Sequence, residues 1–95
     1  MKREIIEKLI QFRNDRNWNH HHTPGELARS LMIEAAELNR IFQWPTMHRP
    51  IDRENLKEEL ADIAIYTLYM CDFFAVDIEE IILEKIEKNA KKYPV

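Results

Sequence analysis

A single glycine, Gly25, and four prolines are all the backbone punctuation this 95-residue chain contains. Sheets need turn residues able to adopt unusual backbone angles, and no strand-length alternation bounded by such residues occurs here. The fold class is therefore all-α. The spacing predicts helix one from about Lys2 to Arg16, with Ile5, Ile6, Leu9, Ile10 and Phe12 at helical intervals. A polar loop follows from Asn14 to His22. Thr23-Pro24-Gly25-Glu26 opens helix two, with Thr23 as cap, Pro24 in the first turn and Glu26 completing a capping box. That helix should end near Gln43, ahead of Trp44-Pro45. Helix three is expected from a cap at Asp52 to about Phe74, and helix four from a cap at Asp77, with Glu80 three residues on, to Tyr93-Pro94.

From Leu60 to Val76 only Asp62 and Asp72 are charged, and the apolar residues surround the helix instead of forming one stripe. The run is shorter than the roughly 20 apolar residues of a membrane span and is flanked by acids. A helix apolar on every side is buried on every side, and three short helices can hardly cover it. A second subunit is expected to complete the bundle, as a dimer or a dimer of dimers, with Tyr69, Phe73 or Phe74 among the buried contacts. The net charge of −3 argues against a nucleic-acid polymer as partner. One cysteine, Cys71, allows no disulfide framework, and the charged opening Met-Lys-Arg-Glu is unlike a signal peptide, so a single cytoplasmic domain spanning residues 1–95 is expected.

Two carboxylate pairs at i, i+3 spacing, Glu34 with Glu37 and Glu59 with Asp62, lie inside apolar stretches. On a helix each pair shares a face. A third of the chain is charged, so one such pair could be ordinary solvated surface. Two pairs among Leu31, Met32, Ile33 and Leu38 on one side and Leu60, Ile63 and Ile65 on the other do not look like a solvated face. Carboxylates about 4 Å apart repel by roughly 4 kcal/mol at an effective dielectric of 20, so a converging set calls for a cation. All-oxygen ligands favour a hard ion, Mg²⁺ with Mn²⁺ as substitute, which leaves positions open for phosphate oxygens.

These residues resemble a known family. Glu34-Ala-Ala-Glu37-Leu with Phe42-Gln43-Trp44, then Glu58-Glu59-Leu-Ala-Asp62 with Tyr66, look like the MazG-type nucleoside triphosphate pyrophosphohydrolases, an all-α group that includes dCTP pyrophosphatases. Phe12-Arg13, Asp15 to Asn19, His22-Thr23-Pro24 and Asn89 to Pro94 extend the likeness over nearly the whole chain. The resemblance implies Mg²⁺ on Glu34, Glu37, Glu59 and Asp62, and hydrolysis between the α- and β-phosphates to a monophosphate and pyrophosphate. It also implies a house-cleaning role toward non-standard or surplus nucleotides. Any of the four acids is a candidate catalytic residue, with Glu37 the one chosen to orient water and Glu58 read as peripheral. Trp18, His22, Trp44, Tyr66, Lys92 and Tyr93 are the implied substrate contacts, although either tryptophan could equally be a packing anchor. Arg16 and Lys91 are further phosphate candidates, and His20-His21-His22 is read as solvated ahead of metal-binding. Two departures bear on base preference: Ile33 and Ala35 flank Glu34 where some relatives carry an extra glutamate, and Leu9 stands where some deoxycytidine-directed relatives have a polar residue. The competing reading is a non-catalytic helical module or nucleotide-binding regulator that kept the fold.

Overall fold

A computed structural model describes residues 3–20, 22–43 and 50–95. Among them the chain forms α1 (Arg3–Asp15), a short 3₁₀ turn (Trp18–His20), α2 (Pro24–Ile41), α3 (Arg53–Phe73) and α4 (Ile78–Lys92). Local chemistry accounts for the boundaries. Thr23 Oγ1 accepts the Glu26 N–H at 3.2 Å, Asp52 accepts from Asn55 N–H at 3.1 Å, and Asp77 accepts from Glu79 and Glu80. Each cap satisfies a donor that the first helical turn leaves without an intrahelical partner. The Glu26 carboxylate turns to Arg29, 3.0 Å away.

The exit of α1 passes through Asn17 at φ 56°, a left-handed conformation that asparagine tolerates better than most residues. α3 closes with Val76 N–H donating to Cys71 O at 3.0 Å and Ala75 N–H to Asp72 O at 3.2 Å. Ala75 sits at φ 54° in this closure, in the place usually given to glycine.

α2 and α3 form the main packed pair. They run antiparallel, since Glu34 meets Glu59 and Asp62 while Leu27 and Ser30 share a cavity with Tyr66. α1 is held to α3 by two cross-helix bonds. The Tyr69 hydroxyl donates to Leu9 O at 2.8 Å, and Arg13 pairs with Asp72 at 3.2 Å with its guanidinium 5.7 Å from the Tyr69 ring. Tyr69 is thus buried within its own protomer, so of the three aromatics expected at a subunit contact only Phe73 and Phe74 are exposed.

The buried set among the described residues is small: Leu27, Leu68, Tyr69 and Cys71. None of α4 is buried, and Ile81, Ile82, Leu83 and Ile86 all face outward. The chain exposes 8015 Å², where a compact monomer of its mass exposes about 5,800 Å². Its radius of gyration is 16.2 Å, against about 12.4 Å for a compact domain of this length. No helix among the described residues is long and apolar enough to cross a membrane.

Candidate active site

The face of α2 that meets α3 passes through Leu27, Ser30, Leu31, Glu34, Leu38 and Ile41, each at least half-buried. On α3 the facing positions include Glu59, Asp62 and Tyr66. Three carboxylates converge there: oxygens of Glu34, Glu59 and Asp62 lie within 4.8 Å of one another. Among the described residues this is the one group placed to hold a metal ion. Glu37, the fourth expected ligand, is exposed at the rim and pairs with Arg40 at 3.7 Å. Glu58 is exposed, in keeping with its reading as peripheral.

The electrostatics carry the strain of the arrangement. Glu34's carboxyl is pushed up to about 7, first by a hydrogen bond with Glu59, then by burial, then by the charges of Glu59, Asp62 and Glu37. The hydrogen bond, the burial and the neighbouring charges all favour the protonated form of Glu34. Glu59 Oε2 is buried and has no hydrogen-bond partner. Buried carboxylate oxygens are nearly always satisfied, so this one marks a place for a ligand. The donor set fits a hard divalent ion: oxygen only, half-buried, with one oxygen still open.

One turn along from the acids a cavity of about 350 Å³ opens, lined by Trp18, His22, Glu26, Leu27, Ser30 and Tyr66. The rings are set by their neighbours. Trp18 meets Phe12 edge-on at 5.6 Å and His22 at 6.2 Å, and His22 lies 4.9 Å from Tyr69. The Arg16 guanidinium rests 3.5 Å from the Phe12 ring and donates to Phe12 O at 3.0 Å. It braces the aromatic wall. Of the expected substrate contacts, Trp18, His22 and Tyr66 come together in this cavity. Lys92 and Tyr93 do not line it; they lie exposed at the end of α4, with the ammonium 5.4 Å from the ring. Trp44 and His21 lie outside the described residues. Glu26 and Ser30 were not singled out from the sequence, although both precede Glu34 by whole multiples of four residues and so share its face.

The sequence profile of the MazG-like family matches residues 30–95, a stretch that includes all four acids. The chain belongs to the MazG-like family. This MazG-like chain is 35% identical over 100 residues to dCTP pyrophosphatase 1 of Bos taurus, the match covering 97% of this chain and 59% of the bovine protein. It is 33% identical over 99 residues to dCTP pyrophosphatase 1 of Homo sapiens, covering 96% of this chain and 58% of the human one. It thus spans under two thirds of the length of these relatives. The crystal structure of a pyrophosphatase from Archaeoglobus fulgidus DSM 4304 superposes with a TM-score of 0.84 at 40% identity, covering 97% of this chain and 91% of that one.

Proposed function

We propose that this MazG-like chain is a divalent-metal-dependent nucleotide pyrophosphohydrolase that cleaves nucleoside triphosphates between the α- and β-phosphates, releasing the monophosphate and pyrophosphate. The observation that carries the reading is the convergence of Glu34, Glu59 and Asp62, with Glu59 Oε2 left open, one turn along from an aromatic cavity. The names of its relatives, dCTP pyrophosphatase and pyrophosphatase, support the same chemistry.

Glu34, Glu59 and Asp62 would hold Mg²⁺, or Mn²⁺ in its place, and the ion when bound neutralises charge on the phosphate oxygens. The remaining work falls to the chain. The aromatic walls of Trp18 and Tyr66 receive the nucleoside, where stacking one base is worth roughly 1–3 kcal/mol. Glu37, at the rim, would accept a hydrogen bond from the attacking water, align it with the α-phosphorus and take up the proton the water loses. The new P–O bond forms as the bond from the α-phosphorus to the bridging oxygen breaks, and pyrophosphate leaves. Removal of non-standard or surplus deoxynucleotides in the cytoplasm is the role this chemistry suits. A hydrolysis screen across standard and modified nucleoside triphosphates with Mg²⁺ tests the reading; no turnover of any of them would return the chain to the class of helical binding modules.

The partner in this proposal is a second copy of the chain. The exposed apolar residues Ile81, Ile82, Leu83 and Ile86 of α4, with Phe73 and Phe74 at the end of α3, are the surface to be covered. The surface beyond that of a compact monomer is about 2,200 Å² per protomer, or about 4,400 Å² for a pair, and obligate interfaces bury about 2,000–5,000 Å² counted over both partners. Light scattering at micromolar concentration should give at least a dimer, and Leu83→Asp should break it down or unfold it. A monomeric mass for the native chain would contradict this.

A further inference from the structure

The cavity beside the acids is aromatic or apolar except at His22, Glu26 and Ser30. Glu26, Ser30 and Glu34 follow one another at intervals of four on α2, so the first lies about 12 Å along the axis from the last. A nucleotide with its phosphates on the carboxylate cluster would run its base toward Glu26. Resting on that reading of the site, we propose that Glu26, with Ser30 beside it, reads the hydrogen-bonding edge of the base and selects purines of the guanine type.

The reason lies in what a carboxylate can accept. An ionised Glu offers two acceptor oxygens and no donor. Guanine presents two adjacent donors, the ring N1–H and the exocyclic amino group, which match the two oxygens side by side. Uracil and thymine present one N–H between two carbonyls. Cytosine and adenine present an amino group next to a ring nitrogen whose lone pair would face the carboxylate. The dCTP in the names of the mammalian relatives is of that second kind. Ser30 can donate or accept and so reaches the carbonyl beside guanine's N1–H.

The carboxylate is oriented by Arg29, which donates to Glu26 Oε1 at 3.0 Å, while Thr23 Oγ1 accepts the Glu26 backbone N–H at 3.2 Å and fixes the helix start that carries it. Each carboxylate oxygen has two lone-pair sites, so the contact with Arg29 leaves capacity for a base.

Steady-state kinetics of the full chain with Mg²⁺ on dGTP, dCTP and dTTP, for wild type, Glu26→Gln and Glu26→Ala, test the assignment. The wild type should show its highest kcat/KM with dGTP. Glu26→Ala should lower the dGTP to dTTP ratio by on the order of tenfold to a hundredfold, the loss expected when a hydrogen bond to a charged group is removed. Glu26→Gln keeps the length of the side chain and offers one donor and one acceptor, so it should move the ratio further toward dTTP; it decides the matter should the alanine variant fail to fold. A wild type that prefers dCTP or dTTP, or variants that slow all three substrates by one common factor, would overturn the assignment while leaving the pyrophosphohydrolase reading intact. No turnover of any triphosphate would overturn both.

Discussion

Asp62→Ala and Glu59→Ala should each lower kcat/KM for triphosphate hydrolysis by more than about a hundredfold. Losing only an outer partner of a metal ligand costs roughly ten- to a hundredfold, and these two are assigned as ligands themselves. Glu37→Ala should also abolish turnover, through loss of the group that aligns the water. The metal-free Asp62→Ala variant should melt no lower than the wild type, because it removes a like charge that raises Glu34, whereas Glu59→Ala also removes the hydrogen bond to Glu34. Full activity in either, or unfolding in place of inactivation, would move these acids from the site to the packing.

The same electrostatics make a second, opposite-looking expectation. Glu34 titrates near 7 in the folded chain against 4.5 as a free side chain. Between those values the folded state holds a proton that the unfolded state has released, so stability falls as pH rises from about 4.5 to 7. For a half-exposed group this amounts to on the order of 1–2 kcal/mol after solvent screening. Mg²⁺ competes with that proton and stabilises the folded state it binds. The rise in Tm on adding millimolar Mg²⁺ should therefore be small at pH 5 and several degrees at pH 8, and Glu34→Gln should flatten the metal-free pH profile. Equal Mg²⁺ stabilisation at both pH values would contradict the arrangement of the acids.

Much of the scaffold was readable because its signals are local. Thr23-Pro24, Asp52 and Asp77 cap helices within one turn of themselves, and the structure begins α2, α3 and α4 just after them. Glu34, Glu59 and Asp62 were legible for the same reason, each standing on a regular apolar face. Glu37 shows the limit of that reasoning. Three residues put it near Glu34, but the face of α2 that meets α3 runs on through Leu38 and Ile41, which leaves Glu37 at the exposed edge. The cavity depends on how the segment after α1 turns at Asn17 and brings Trp18 and His22 over α2. No spacing in the sequence encodes that turn. It hid the place of Glu26 and Ser30 in the cavity, since the sequence marks Glu26 only as part of a helix cap. α4 is a different case: its helical pattern was plain, yet none of its residues is buried among the described ones.

Product analysis tests the central claim most directly. With purified chain, Mg²⁺ and a nucleoside triphosphate in ¹⁸O-labelled water, attack at the α-phosphorus predicts monophosphate and unlabelled pyrophosphate, with the label in the monophosphate. Label in the pyrophosphate would place attack at the β-phosphorus, and release of orthophosphate with a nucleoside diphosphate would contradict the pyrophosphohydrolase reading altogether.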